Sequence, residues 1–199
     1  IVEIINGYKS IGLNEIFLRP VNHQGFARKK HKDITNDIDN WIKSYSRAID
    51  YIIEHNSKEE NKIIETNLAL HLKRIFQAGN NGHVDLRSPN PAAQDYLVID
   101  FDGAFYPTDE ARMLTRIGMI DLRIGSLSEG LDIPKIESLD LAQDNKDDPI
   151  CKKCAFQPFC GVDAIDKISR YSTVNHPTNE TYFCKFHMAI FTKIFNLFE

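Results

Sequence analysis

Three cysteines fall within one short stretch, Cys151-Lys-Lys-Cys154-Ala-Phe-Gln-Pro-Phe-Cys160, and a fourth, Cys184, stands ahead of an apolar run near the end of the chain. These are the four cysteines of the 199-residue chain. A Cys-x2-Cys turn lets two thiolates face one centre while backbone N–H groups point at the sulfurs. Cys160 approaches from another side, with Pro158 and Gly161 bending the chain around it. Cys184 must come from a separate element. Together they offer four sulfur ligands to a tetrahedral zinc or to an iron–sulfur cluster.

Three chemistries compete for this set. A four-iron cluster needs four thiolates and a shell that limits water. Phe156, Phe159, Tyr182, Phe183 and Phe186 are candidates for that shell, and Lys152, Lys153 and Lys185 for offsetting its negative charge. Structural zinc takes the same ligands but favours two short Cys-x2-Cys knuckles, and here the second pair is widely split. Two disulfides rank last, because no signal peptide opens the chain and this length can bury a core without staples. The expected compartment is therefore the reducing cytoplasm. Spacing alone leaves cluster and zinc open.

Composition narrows the partners. A net charge of -4 gives no basic footprint for nucleic acid. No apolar run reaches the roughly 18 residues of a membrane span, so neither nucleic acid nor membrane is expected. The seven histidines are scattered, and no HExxH pair, Walker loop or GxGxxG occurs. Asn179-Glu-Thr181 matches a glycosylation sequon that has no meaning in a reducing compartment.

The elements that must position the cysteines follow from periodicity. Residues 1–12 read as the tail of an amphipathic helix stopped by Gly12. Glu15–Pro20 reads as a buried strand, and together they make the closing half of a βαβ repeat. A loop follows, in which Arg19, Asn22, His23 and Gln24 are candidate ligand contacts because such loops carry sites in α/β folds. The basic run Arg28–Lys32 reads as a solvated surface. A helix capped by Asp33 or Thr35 should run to a break at Asn56-Ser57, and Ser57 should cap a second from Lys58 to about Gln77. His55 and His71 are placed at helix edges, and Trp41 in the core.

The loop opening at Gly79 sets the domain boundary, giving spans 1–78 and 79–199. Beyond it, Asp95–Phe101 and Ala104–Pro107 should form a hairpin around Asp102-Gly103. Thr108 should cap a short helix through Leu114. Ile120–Ile124 reads as another strand, Lys135–Ala142 as a weak helix, and Gln143–Asp148 as an acidic linker. Asp163–Tyr171 and Tyr182–Phe198 read as helices, the second beginning beside Cys184, with His187 a packing residue rather than a ligand.

The order of these features resembles the SPASM and twitch domains of radical S-adenosylmethionine enzymes. The matching residues are Asp102-Gly103-Ala-Phe-Tyr106-Pro107-Thr108-Asp109, then Ile124-Gly125-Ser126-Leu127, then Cys151, Cys154, Cys160 and Cys184. The resemblance covers about Asp95 to Phe198 and tips the metal toward an auxiliary [4Fe-4S] cluster. Two-cluster members carry further cysteines, one after the hairpin proline, where this chain has Thr108, and one beyond the Cys loop, where it has Asp163-Ala164. One cluster is thus expected.

The N-terminal part resembles the end of the partial (β/α) barrel of those enzymes. The lines Ile16-Phe-Leu-Arg-Pro-Val-Asn-His-Gln-Gly-Phe-Ala27 and Asp109–Leu114 are most similar to radical maturases of the His-Xaa-Ser peptide system. The expected fold class is α+β: the end of a partial barrel, then a small domain with a β-hairpin, a cysteine-rich loop and a C-terminal helix. The resemblance implies a longer parent enzyme that binds S-adenosylmethionine, modifies a ribosomally made peptide and takes electrons from a donor. Arg19 is the candidate cofactor contact. This chain lacks the catalytic CxxxCxxC motif and is expected to be inactive alone, its auxiliary cluster relaying electrons or positioning substrate. Zinc is expected as a possible substitute in recombinant material, and a zinc-stabilised four-cysteine binding module without redox activity is the alternative.

Overall fold

The computed structural model describes residues 1–24, 37–77, 93 and 96–199. The chain is α+β and divides into two compact units built from non-contiguous segments. Unit 1 comprises Ile1–Val21, Asp33–His83 and Lys185–Glu199, and unit 2 comprises Asn22–Lys32 and Val84–Cys184. The expected helix caps at Asp33 and Thr35, the basic run, and nearly all of the loop from Gly79 lie outside the described residues.

In unit 1, helix α1 (Val2–Ser10) turns inward on Ile5 and ends at Ile11, with Gly12 at φ +81. Gly12 N donates to Lys9 O and Leu13 N to Tyr8 O, which satisfies the last carbonyls. Strand β1 (Glu15–Ile16) is shorter than expected. Ile16 and Leu18 are buried while Phe17 is exposed, so the segment is half-buried rather than a buried run. It pairs in parallel with β2 (Ile64–Glu65), Glu15 opposite Ile64 and Ile16 opposite Glu65. Helix α2 (Asp37–Lys58) lies between them in sequence, as a parallel connection requires.

Three expectations fail here. The helix does not break at Asn56-Ser57 but continues to Lys58. Asn56 instead pairs its amide with the backbone of Ile63, donating to its carbonyl and accepting from its N–H, both at 2.8 Å. That bracket turns the chain into β2, so the second helix, α3 (Thr66–Phe76), starts much later and is capped by Glu65. Phe76, its last residue, is exposed. His71 is not at an edge: it is 1% exposed and packs against Phe191 and His187. Trp41 stacks on Tyr45 and packs on Phe186, each with ring centroids 4.7 Å apart. The core joins Ile5, Ile16, Tyr45 and Ile49 to Ile190 and Ile194.

Unit 2 is organised on a four-stranded antiparallel sheet in the order β3 (Val98–Ile99), β4 (Ala104–Tyr106), β5 (Gly125–Ser126), β6 (Gly130–Leu131). Asp102-Gly103 makes the first turn, with Gly103 at φ +80 and Asp102 accepting from Ala104 N. Thr108 caps α4 (Asp109–Arg116), its hydroxyl accepting from Ala111 N at 3.1 Å. Ile120–Ile124 is not a strand. Leu122 N donates to Thr115 Oγ1, off the ladder, and contact with β4 begins at Ile124, whose N–H donates to Phe105 O at 2.8 Å just ahead of Gly125. Helices α5 (Ile133–Ala142) and α6 (Ala164–Tyr171) follow, each capped by an aspartate, Asp132 and Asp163. Ala104, Tyr106, Leu114, Ile124, Leu139 and Ile165 form the centre of this core. The last helix, α7 (Tyr182–Asn196), has its first three residues in unit 2 and the rest in unit 1.

Candidate metal centre

All four cysteines belong to unit 2, each partly buried and none in a disulfide. Asp148 starts the loop that carries the first two. Its Oδ1 accepts from Ile150 N at 2.8 Å and Cys151 N at 3.1 Å. This folds Cys151–Lys153 into a single 3-10 turn, closed by Cys154 N donating to Cys151 O at 2.9 Å. The next turn returns through Gln157 N to Cys154 O and Cys160 N to Phe156 O.

The loop's far end is held by Asn145, 2% exposed. Its Nδ2 donates to Cys160 O at 2.8 Å and Gln157 O at 3.2 Å, and its Oδ1 accepts from Gln157 Nε2. The sequence reads this segment as an acidic linker, yet Gln143 and Asn145 are buried in it. Cys184 is presented separately at the start of α7. Its N–H donates to Thr181 Oγ1 at 3.0 Å, and Thr181 Oγ1 donates to Thr178 O at 2.7 Å.

A buried ion pair steadies the helix behind these loops. Asp166 Oδ1 accepts from Arg170 Nε at 2.7 Å and from Gln24 Nε2 at 2.8 Å. Arg170 lies 3.8 Å from the ring centroid of Tyr182, whose N–H donates to Tyr171 OH. Gln24, a candidate ligand contact, is thus used to brace α6, and Asn22 bonds Glu110. Arg19 belongs to unit 1, where its guanidinium lies over the Phe17 ring at 5.1 Å. Asp109, at the first turn of α4, holds Arg112 by two bonds of 2.8 and 2.9 Å.

Burial first, then the Asp148 charge and then Cys184 and Cys154, push the Cys151 thiol up to about 12. Burial, followed by Cys184, Cys151 and Cys154, also raises Cys160. A cation among such thiols reverses that balance, since thiolates are the metal-binding form. Among the described residues, however, no group of three His, Cys, Asp or Glu side chains is arranged to hold an ion. The donor chemistry, four cysteine thiols in one unit, fits a thiophilic metal.

Phe156, Phe159, Tyr182 and Phe183 are half-buried in unit 2, whereas Phe186 packs on Trp41 in unit 1. Lys152 and Lys153 are exposed, and Lys152 pairs with Asp147 at 3.1 Å. Lys185 belongs to unit 1 and is exposed. The residues that sequence reasoning missed are Asn145, Asp148, Lys167, Thr178 and Thr181. Only Asp148, three residues before a cysteine, carried a readable turn signal.

Compared with protein-family models, with curated proteins and with solved structures, the chain matches none. Among the described residues, no helix is long and apolar enough to cross a membrane.

Proposed function

We propose that this chain is a metal-binding region whose Cys151, Cys154, Cys160 and Cys184 hold one auxiliary [4Fe-4S] cluster. In this reading the chain is the C-terminal part of a radical S-adenosylmethionine enzyme that modifies a ribosomally made peptide. The carrying observation is that four cysteines, none in a disulfide, stand in one unit, three on one loop and the fourth at the start of α7, and that the Cys151 and Cys160 thiols are each raised by burial first and then by neighbouring groups that include the other cysteines. The order of hairpin, Gly125-Ser126 strand, cysteine loop and C-terminal helix supports the SPASM-like assignment, which rests on resemblance.

When bound, such a cluster supplies one-electron transfer. The chain's own part is to hold the four sulfurs, through Asn145 and Asp148 on one loop and Thr181 on the other. Half-buried Phe156 and Phe159 limit water. With four thiolate ligands no iron is left open, so the role is electron relay or substrate positioning. The peptide, the electron donor and S-adenosylmethionine belong to the longer parent, with Arg19 as the proposed cofactor contact.

The test is iron, sulfide and zinc content after anaerobic purification, with a visible spectrum of the same sample. About four irons and four sulfides per chain are expected. Zinc without sulfide, persisting under iron-replete expression, would replace this reading with a zinc-stabilised four-cysteine module. S-adenosylmethionine cleavage by the 199-residue chain alone would contradict its assignment as a non-catalytic region.

A further inference from the structure

Lys167 stands on α6, and its side chain is buried, the residue being 7% exposed. Its Nζ donates to Thr178 Oγ1 at 2.9 Å. Thr178 in turn donates to Asp148 Oδ2, and Asp148 Oδ1 accepts from Cys151 N at 3.1 Å. On its other side, Thr178 O accepts from Thr181 Oγ1 at 2.7 Å, and Thr181 Oγ1 accepts from Cys184 N at 3.0 Å. Hydrogen bonds through Asp148, Thr178 and Thr181 therefore link the backbone of Cys151 to the backbone of Cys184, and the ammonium joins this path as a branch at Thr178.

Burying an ammonium is costly unless anions answer it. It carries three donors, and among the described residues one hydrogen bond is made, to Thr178. Asp148 answers part of that charge, both through Thr178 and by direct electrostatic attraction, and two of the ammonium's three donor positions make no hydrogen bond to a described residue. Lys167 is also within electrostatic reach of the Cys151 thiol. The exposed lysines of the cysteine loop cannot fill this role as well, because water screens them.

We propose that Lys167 is the fixed counter-charge and positioning residue of the four-thiol site, clamping the Cys151 loop to the Cys184 segment through Thr178 and neutralising part of the negative charge of a bound metal–thiolate centre. This rests on the metal-site reading above. It differs from it in assigning the site's charge balance and pre-alignment to a residue that is not a ligand.

The test uses the full chain, reduced and metal-free, titrated with Co2+ and read by its thiolate charge-transfer band, in wild type, K167M, K167R and T178V. K167M is expected to weaken Co2+ binding about 10- to 100-fold, the usual range for lost outer-shell partners, with K167R recovering most of the loss. T178V, which keeps the ammonium but cuts the bridge, should weaken binding too. After reconstitution with iron and sulfide, K167M should shift the midpoint potential to more negative values while T178V stays near wild type, because lost positive charge disfavours the reduced state. A merely structural lysine would not separate these two readouts. K167M with wild-type affinity and potential would overturn the proposal while leaving the metal site intact. Absence of the charge-transfer band in wild type would overturn the metal site and Lys167's role together. Should K167M fail to fold, unchanged affinity in T178V is enough to overturn the clamp.

Discussion

Tyr45 donates its phenol to Glu65 Oε2 at 2.6 Å, joining the middle of α2 to the residue that caps α3. Glu65 is 3% exposed, and its carboxylate also accepts from Leu68 N at 2.6 Å, Leu18 N at 3.0 Å and Asn67 N at 3.2 Å. One carboxylate thus ties together the end of β1, helix α2 and the first turn of α3. Burial first, then the Glu65 charge, raise the Tyr45 phenol well above its ordinary value, so it stays a donor. We expect E65A to cost about 3–5 kcal/mol, because it leaves buried donors unanswered, and Y45F about 1–2 kcal/mol. Urea unfolding of both variants measures this; equal small losses would show that the carboxylate is not the hub.

Gly125 sits at φ +142, and a Cβ there would lie 2.1 Å from Gly130 O. The β5–β6 ladder needs that approach, since Ser126 pairs with Gly130 and Gly125 with Leu131. G125A should destabilise unit 2 by about 2–3 kcal/mol through strain and a backbone clash. G7A, on α1 where nothing lies within 4 Å, is the control and should be neutral or stabilising. Thermal melts of the two variants check the contrast.

Asn145 is a brace for the cysteine loop rather than a ligand. N145A removes the bonds to Cys160 O and Gln157 O and should cost about 1–3 kcal/mol. Under the metal-site reading proposed above, it should also lower metal affinity about tenfold or more, as loss of an outer partner does. Zinc competition with a chromophoric chelator reads this, and wild-type affinity in N145A would show that the loop holds its form without the brace.

Asp121 provides a pH signature away from the cysteines. The hydrogen-bonded guanidinium of Arg123, at 2.6 Å, holds its carboxyl down to about 2. A carboxylate depressed in the folded state stabilises fully above its ordinary value near 3.8 and loses that contribution as pH falls toward about 2. Both side chains are about half exposed, 51% and 57%, so the effect on stability is small. Carboxyl chemical shifts followed by NMR should give an Asp121 midpoint near 2 that returns toward about 4 in R123Q.

Much of the local structure is written in the residues themselves. Thr108 ahead of Asp109-Glu110, Asp163 ahead of α6 and Asp102-Gly103 at the hairpin act through neighbours a few bonds away, so their caps and turn appear where their types and spacing put them. The grouping of three cysteines is equally local. Tertiary structure decided what local pattern cannot carry. Asn56 favours a helix stop by type, but its amide finds the Ile63 backbone and the helix runs on to Lys58. His71 looks like an edge residue until Phe191 and His187, far along the chain, close over it. Lys167 reads as an ordinary helix lysine; only burial beside Thr178 and Asp148 sets it between the Cys151 and Cys184 loops. Ligand types are a property of sequence, whereas the charge and hydrogen bonds around them depend on contacts between distant segments, which chain folding alone creates.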